Sequence, residues 1–209
     1  MTADHRPPAD TRLPTFYPGM RVGLFGGSFD PPHDGHVQVS LVALRALHLD
    51  QVWWLVSPRN PLKRNAPSND LSRRIRAARQ LIRHPGIKVT GIEVALGTTY
   101  TSETLRRLLP RLRGVTCVWM MGADNLANFH RWRGWQAIAA SIPFAVFNRP
   151  GSARSALASP AAHALRQARR DPSDAAGLGE SPPPAWVFLP SPHVDISSTA
   201  LRIAARKAS

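Results

Sequence analysis

One cysteine, three lysines, two tyrosines and 13 acidic residues are all that this chain of 209 residues holds of those types. A single thiol, Cys117, forms no internal disulfide and builds no cysteine-based zinc cluster, and it suits a reducing compartment. The longest apolar runs, 37–49 and 115–121, are short or interrupted by charge, so neither spans a bilayer. Residues 1–20 lack the apolar stretch of a secretory signal. The expectation is a cytoplasmic protein with no membrane partner. Two phosphate-binding signatures are missing as well, Gly-x-x-x-x-Gly-Lys-Ser/Thr and Gly-x-Gly-x-x-Gly. Their absence excludes a P-loop NTPase and the usual dinucleotide-redox fingerprint.

What the chain has in excess is arginine. Lys and Arg together number 27, of which 24 are Arg, and the formal net charge is +14. Such a balance favours polyanions, either nucleic acid or phosphorylated small molecules. The arginines are dispersed from Arg6 to Arg206, however, rather than gathered with lysine and aromatics into one stripe. Most of that charge therefore reads as solvated surface.

Periodicity separates the chain into alternating strands and helices. Short apolar runs at Arg21–Phe25, Val52–Val56, Ile87–Thr90, Thr116–Met121, Phe144–Phe147 and Trp186–Leu189 predict strands. Helical stripes begin at Asp34, at Asp70 (Leu71, Ile75, Ala78, Ile82), at Thr101 and at Gln136, with another around Ala161–Arg170. Ser197–Lys207 reads as a final helix with a Ser-Ser-Thr start. This order predicts an α/β domain with a doubly wound, mostly parallel sheet. Residues 1–20, with four prolines, are expected as a flexible leader. Residues 21–209 are expected as one domain, with 172–185 as a surface loop. Trp53, Trp54, Trp119 and Trp186 fall in predicted strands and are expected in the core.

Ligands of such sheets bind at the carboxyl ends of strands, near the point where strand order reverses. The unusual residues lie at those ends. Gly26-Gly27-Ser28-Phe29-Asp30-Pro31-Pro32-His33-Asp34-Gly35-His36 follows the first strand. Paired glycines allow a sharp turn and close approach of a ligand. His33 and His36 share one face of the first helical turn, where free amides and the helix dipole favour an anion. A metal site is the rival reading of His-x-x-His, but only Asp30 is nearby as a third ligand. Near the end, Ile196-Ser197-Ser198-Thr199-Ala200-Leu201-Arg202 offers capping hydroxyls and an arginine one turn on, able to grip a phosphate.

The pair of motifs resembles nucleotidyltransferases with His-x-Gly-His after the first strand and Ile-Ser-Ser-Thr-x-x-Arg near the end. Three further segments resemble the bacterial nicotinate-nucleotide adenylyltransferase family: Ser57–Lys63, Thr99–Leu105 and Gly122–Trp132, together with Asn148–Gly151. The likeness runs from about Val22 to Arg206. It departs at Asn60-Pro61-Leu62-Lys63, where the family often reads Pro-Pro-His-Lys, so only Lys63 of the basic end survives. The phosphopantetheine adenylyltransferases share both end motifs but lack the Gly-Ala-Asp-Asn…Trp and Thr-Tyr-Thr segments. They are the alternative enzyme reading. A basic nucleic-acid-binding protein on the same scaffold is the alternative from another class.

The resemblance implies a Rossmann-like nucleotidyltransferase fold and adenylyl transfer from ATP to nicotinate mononucleotide. It implies catalytic roles for His33, His36 and Arg202. ATP would meet Gly26, Gly27, Ser28, Phe29, His33, His36, Gly122, Asp124, Ile196, Ser198, Thr199 and Arg202. The mononucleotide would meet Ser28, Lys63, Thr101, Trp132 and Arg149. Mg²⁺ would ride on the ATP phosphates with no protein-held metal site. The expected partners are these small molecules rather than nucleic acid, and a homo-oligomer is left open.

Overall fold

A computed structural model describes residues 9–58, 71–148 and 153–191. Within them the apolar runs become seven strands of one sheet: β1 (Arg21–Gly27), β2 (Gln51–Val56), β3 (Ile87–Thr90), β4 (Thr116–Gly122), β5 (Phe144–Asn148), β6 (Arg169–Arg170) and β7 (Trp186–Pro190). Their order is β3-β2-β1-β4-β5-β7-β6, and every pairing is parallel. The chain builds outward from β1 to β3, then returns to β4 on the other side of β1. Strand order therefore reverses between β1 and β4, and a crevice opens there at their carboxyl ends.

Eight α-helices among the described residues cover the two faces: α1 (Asp34–Ala46), α2 (Leu71–Leu81), α3 (Ile92–Leu96), α4 (Thr101–Leu108), α5 (Ala123–Asn128), α6 (Trp135–Ser141), α7 (Ala153–Leu157) and α8 (Pro160–Ala164). Successive strand residues point to opposite faces, so the adjacent Trp53 and Trp54 enter different cores. Trp53 packs with Leu24, Trp119 and Trp186 beneath α3 to α8. Trp54 packs with Phe25, Phe29 and Met120 beneath α1 and α2. The four strand tryptophans expected in the core are all fully buried. Helices on both sides explain why these strands read as continuous apolar runs rather than alternating ones.

Three elements differ from the sequence reading. Residues 10–20 are not a free leader. Leu13 and Phe16 pack against the core, and Phe16 meets Trp53 at 5.8 Å between ring centroids. The Gly91 amide donates to Asp10 O at 2.7 Å, and Thr90 Oγ1 donates to Arg12 O at 2.6 Å. Two apolar side chains and these bonds outweigh the local proline signal. The helix expected at Ala161–Arg170 is broken into α8, a 3₁₀ turn and the edge strand β6, because the backbone of Arg169 and Arg170 pairs with β7. Residues 172–180, expected as surface loop, form a 3₁₀ stretch that buries Ala175 and Leu178 in the core. Its outer side chains remain exposed. The expected helix 197–207 lies outside the described residues.

Candidate active site

The crevice between β1 and β4 is walled on one side by the segment from Gly26 to His36. Gly26 and Gly27 belong to β1 itself and pair with Leu55 and Val56. Neither has a positive φ, so they are not turn glycines as the sequence suggested. Their role is room. A Cβ at Gly26 would lie 2.5 Å from Trp119 Cη2, and one at Gly27 would lie 3.1 Å from the Phe29 ring. The left-handed residue is Phe29, with φ 45°, a conformation that costs a bulky residue energy. Packing holds it there. Its ring is fully buried, stacks on Trp54 at 4.6 Å with an 8° interplanar angle, and meets His36 at 4.9 Å.

His33 caps α1 and His36 lies in its first turn, as the spacing predicts; both are buried. Their ring centroids are 3.8 Å apart. The His33 amide donates to His36 Nδ1 at 3.2 Å. Accepting at Nδ1 requires that nitrogen to be unprotonated, which places the neutral ring's proton on Nε2. Below His36, Ser40 Oγ donates to His36 O at 2.8 Å, and Trp54 Nε1 donates to Ser40 Oγ at 2.8 Å. The imidazole is thus held from its side by the His33 amide, and its backbone from beneath by Ser40, at the amide-rich end of a 13-residue helix. Such an end stabilises negative charge.

On the other side of the crevice, Gly122 ends β4 and caps α5, and Asp124 is exposed in the first turn. A Cβ at Gly122 would collide with Asp124 Oδ1, so glycine lets that carboxylate fold back toward the strand end. Thr101 opens α4, and Trp132 follows a 3₁₀ turn at Phe129–Arg131, half-buried with its ring edge-on to Phe129 at 5.4 Å. These two segments are joined. Arg133 lies 4.8 Å above the Tyr100 ring and 3.7 Å from Glu103, and Gly134 packs against Ser102. The structure therefore brings Thr101 and Trp132 to one region. Ser28 lies in the loop after β1. Lys63, Arg149, Ile196, Ser198, Thr199 and Arg202 lie outside the described residues.

Two polar residues at this crevice escaped sequence reasoning. Arg74 of α2 is buried and donates through Nη1 to Ser28 O at 2.7 Å and Ser57 O at 2.8 Å, and through Nη2 to Pro58 O at 3.2 Å. One guanidinium thereby ties together the chain leaving β1 and the chain leaving β2. Glu93 of α3 is buried as well. Burial pushes its carboxyl up to about 7, against the opposing pull of the Ser57 and Thr104 hydroxyls and of Arg74. A faint signal existed for both. Arg74 sits on the apolar stripe of Leu71 and Ala78, and Glu93 is the one charge in the apolar stretch Ile92–Leu96. Cys117 is half-buried at the far end of β4, where burial pushes its thiol up to about 12 and keeps it unreactive. Among the described residues no group of three His, Cys, Asp or Glu side chains could hold a metal ion, and no helix is long and apolar enough to cross a membrane.

The family profile described as cytidylyltransferase-like matches residues 24–204. A protein of Cereibacter sphaeroides named a probable nicotinate-nucleotide adenylyltransferase is 52% identical over 187 residues, covering 90% of this chain and 98% of its own. The protein of Rhizobium meliloti with the same name is 52% identical over 185 residues, covering 88% and 98%. This chain belongs to the nicotinate-nucleotide adenylyltransferase family. The matched region spans both walls of the crevice and extends over the C-terminal Ser-Ser-Thr segment. Among solved structures, nicotinic acid mononucleotide adenylyltransferase of Plasmodium falciparum complexed with APC superposes with a TM-score of 0.64 at 15% identity, covering 88% of this chain and 83% of that one. The same protein complexed with NaAD gives 0.63 at 16% identity over the same shares. At that identity the superposition speaks for the fold: the seven-stranded parallel sheet is that of a nucleotidyltransferase. In this chain the two-histidine turn of α1 lies beside the switch point of the sheet.

Proposed function

We propose that this chain transfers the adenylyl group of ATP to nicotinate mononucleotide, giving nicotinate adenine dinucleotide and pyrophosphate in NAD biosynthesis. The observation that carries this reading is the paired, buried His33 and His36 at the amide-rich start of α1, beside the reversal of strand order, in a chain about half identical to relatives bearing that name. A phosphate oxygen of the mononucleotide attacks the α-phosphorus of ATP, the bond from that phosphorus to the bridging oxygen breaks, and pyrophosphate departs with the electron pair. The nucleophile is already an anion, so no general base is required. Catalysis consists of holding two mutually repelling anions in line and stabilising charge on the five-coordinate phosphorus and the leaving group.

In this reading His36 presents Nε2–H to the α-phosphate, supported by the acceptor role of its Nδ1. His33 stands beside it. Gly26, Gly27, Ser28 and Phe29 line the phosphate path, and Gly122 and Asp124 receive the ribose. Thr101 and Trp132 take the pyridine ring, the indole offering a face for stacking. The segment with Ile196, Ser198, Thr199 and Arg202 would grip the β- and γ-phosphates, and Lys63 and Arg149 the mononucleotide. Mg²⁺, which neutralises the triphosphate when bound, would be held by phosphate oxygens and water. Part of the +14 charge would then aid capture of anionic substrates. The expected compartment is the cytoplasm.

Pyrophosphate release measured with ATP and, in parallel, nicotinate mononucleotide, nicotinamide mononucleotide and phosphopantetheine tests the assignment. Turnover is expected on the first. Turnover on phosphopantetheine alone would move the chain to the sister activity. A steep salt dependence of binding to a generic duplex, with no turnover, would favour the nucleic-acid reading.

A further inference from the structure

We propose that Glu93 is a positioning residue for the mononucleotide half of the site, tying the end of β2 to the first turn of α4 so that the two keep one spacing. This inference rests on the proposed adenylyl transfer and adds a residue to it. Glu93 is 4% exposed, on the short helix that packs against β2 and α4. Its carboxylate accepts from the hydroxyls of Ser57, the first residue beyond β2, and Thr104, in the first turn of α4. Its backbone carbonyl accepts from the Thr98 amide at 3.0 Å, and Thr98 Oγ1 lies 2.9 Å from Thr104 Oγ1. Three residues before Thr104 is Thr101, which opens α4 on the substrate side. On the β2 side, the Ser57 amide donates to Gly27 O at 2.9 Å, and Arg74 clasps Ser57 O, Pro58 O and Ser28 O. One buried carboxylate and one buried guanidinium thus join the phosphate wall to the pyridine wall.

The arrangement is costly, which is why a purely structural role is an inadequate account of it. Glu93 Oε2 is buried and without a hydrogen-bond partner among the described residues. A glutamine or an apolar side chain would fill the space without a charge to bury. Among the described residues, the charged group that acts on the carboxylate is Arg74 from α2. From α4, Glu103 turns instead to Arg133. From the 3₁₀ turn at Ala9–Thr11, Asp10 turns to Arg79. What a carboxylate supplies here and a neutral amide does not is charge: its contacts with the two hydroxyls are charge-assisted, and it attracts the Arg74 guanidinium. Because burial moves its ionisation up to about 7, that acceptance is weakened just below neutral pH and complete above it.

The test is steady-state pyrophosphate release by the full chain, with ATP and nicotinate mononucleotide varied in turn between about pH 6 and 9. For the wild type, KM for the mononucleotide is expected to fall as pH rises through about 7, while KM for ATP shows no matching step. Glu93→Gln is expected to raise the mononucleotide KM about tenfold above pH 8 and to abolish its step, leaving kcat and the ATP KM within about threefold, as loss of one charge-assisted contact set predicts. A mononucleotide KM within twofold of wild type, or equal losses on both substrates and kcat, overturns the proposal. If Glu93→Gln does not fold, Thr104→Val against Thr104→Ser decides. The valine form should raise the mononucleotide KM and move its step to higher pH, while the serine form, which keeps the hydroxyl, should restore both; identical behaviour of the two overturns it. A wild type that turns over no mononucleotide overturns the adenylyl-transfer reading itself, and this inference with it, which separates that failure from the others.

Discussion

The two walls of the crevice are held in different ways. From Gly26 to His36, apart from the β2 pairing of Gly26 and Gly27 and the contacts to Trp54, Trp119 and Arg74, the supporting contacts named above come from within eleven residues of sequence. His33 and His36 bond three residues apart, Ser40 bonds four residues back, and Phe29 meets His36 across one short loop. The opposite wall is assembled from afar. Arg74 reaches 46 residues back to Ser28, and Glu93 gathers Ser57 and Thr104 from two other elements. The first wall is a local motif on a hydrophobic footing; the second is a non-local polar hub. A site of this kind can therefore lose chemistry, stability or substrate spacing separately, according to which wall is touched.

His36→Ala strikes the first wall chiefly at the chemistry. Turnover is expected to fall at least about a hundredfold, the loss of a transition-state charge contact, in a chain that still folds with a thermal midpoint lowered by the lost contacts to Phe29 and the His33 amide. A near-normal rate would remove His36 from the mechanism. Phe29→Ala strikes the footing. It empties a fully buried ring site between Trp54 and His36 and is expected to cost about 3 kcal/mol in urea unfolding, within the range for buried Phe→Ala. A cost below about 1 kcal/mol would show that the stack does not hold this wall.

The second wall should betray itself through pH. Glu93 is raised from 4.5 to about 7 in the folded chain, so the unfolded state releases its proton first as pH rises. The stability linked to it is present below 4.5, is lost between there and 7, and changes no further above that. The loss is up to about 3 kcal/mol at the usual 1.4 kcal/mol per unit. Urea midpoints of wild type and Glu93→Gln should converge at acid pH and diverge in favour of the glutamine form by neutrality. Parallel pH curves would mean the carboxyl is not held as described. Cys117, on neither wall, gives the smallest effect: with its thiol held near 12, a thiol reagent should label it slowly in the folded chain and rapidly only in denaturant. Fast native labelling would contradict its burial.

Most of the strand–helix alternation and the first wall were legible in the sequence, because both depend on residues close together in the chain. The two histidines three apart at a helix start, the apolar runs of β1, β2, β4 and β5, and the buried tryptophans follow from periodicity alone. The glycine pair was legible as a constraint, yet not as the right one. A turn and a close approach both demand glycine, and only the placement of Trp119 under Gly26 distinguishes them. The N-terminal segment misled for a related reason. Its prolines speak of a loop, whereas its packing depends on Trp53 and on the edge of β3, far along the chain.

By itself, then, the sequence determined the parallel α/β sheet and the placing of two histidines in the first turn of α1 at a strand's carboxyl end, since local propensity and short-range hydrogen bonding suffice for each. Only the tertiary structure decided that Phe29 takes the left-handed turn, that Arg74 is a clasp rather than one more surface arginine, and that Glu93 lies between the ends of β2 and α4. Those outcomes depend on burial and on partners tens of residues away. An arginine or a glutamate looks the same in sequence whether water or a protein interior surrounds it; the energy of its charge differs between the two by several kcal/mol.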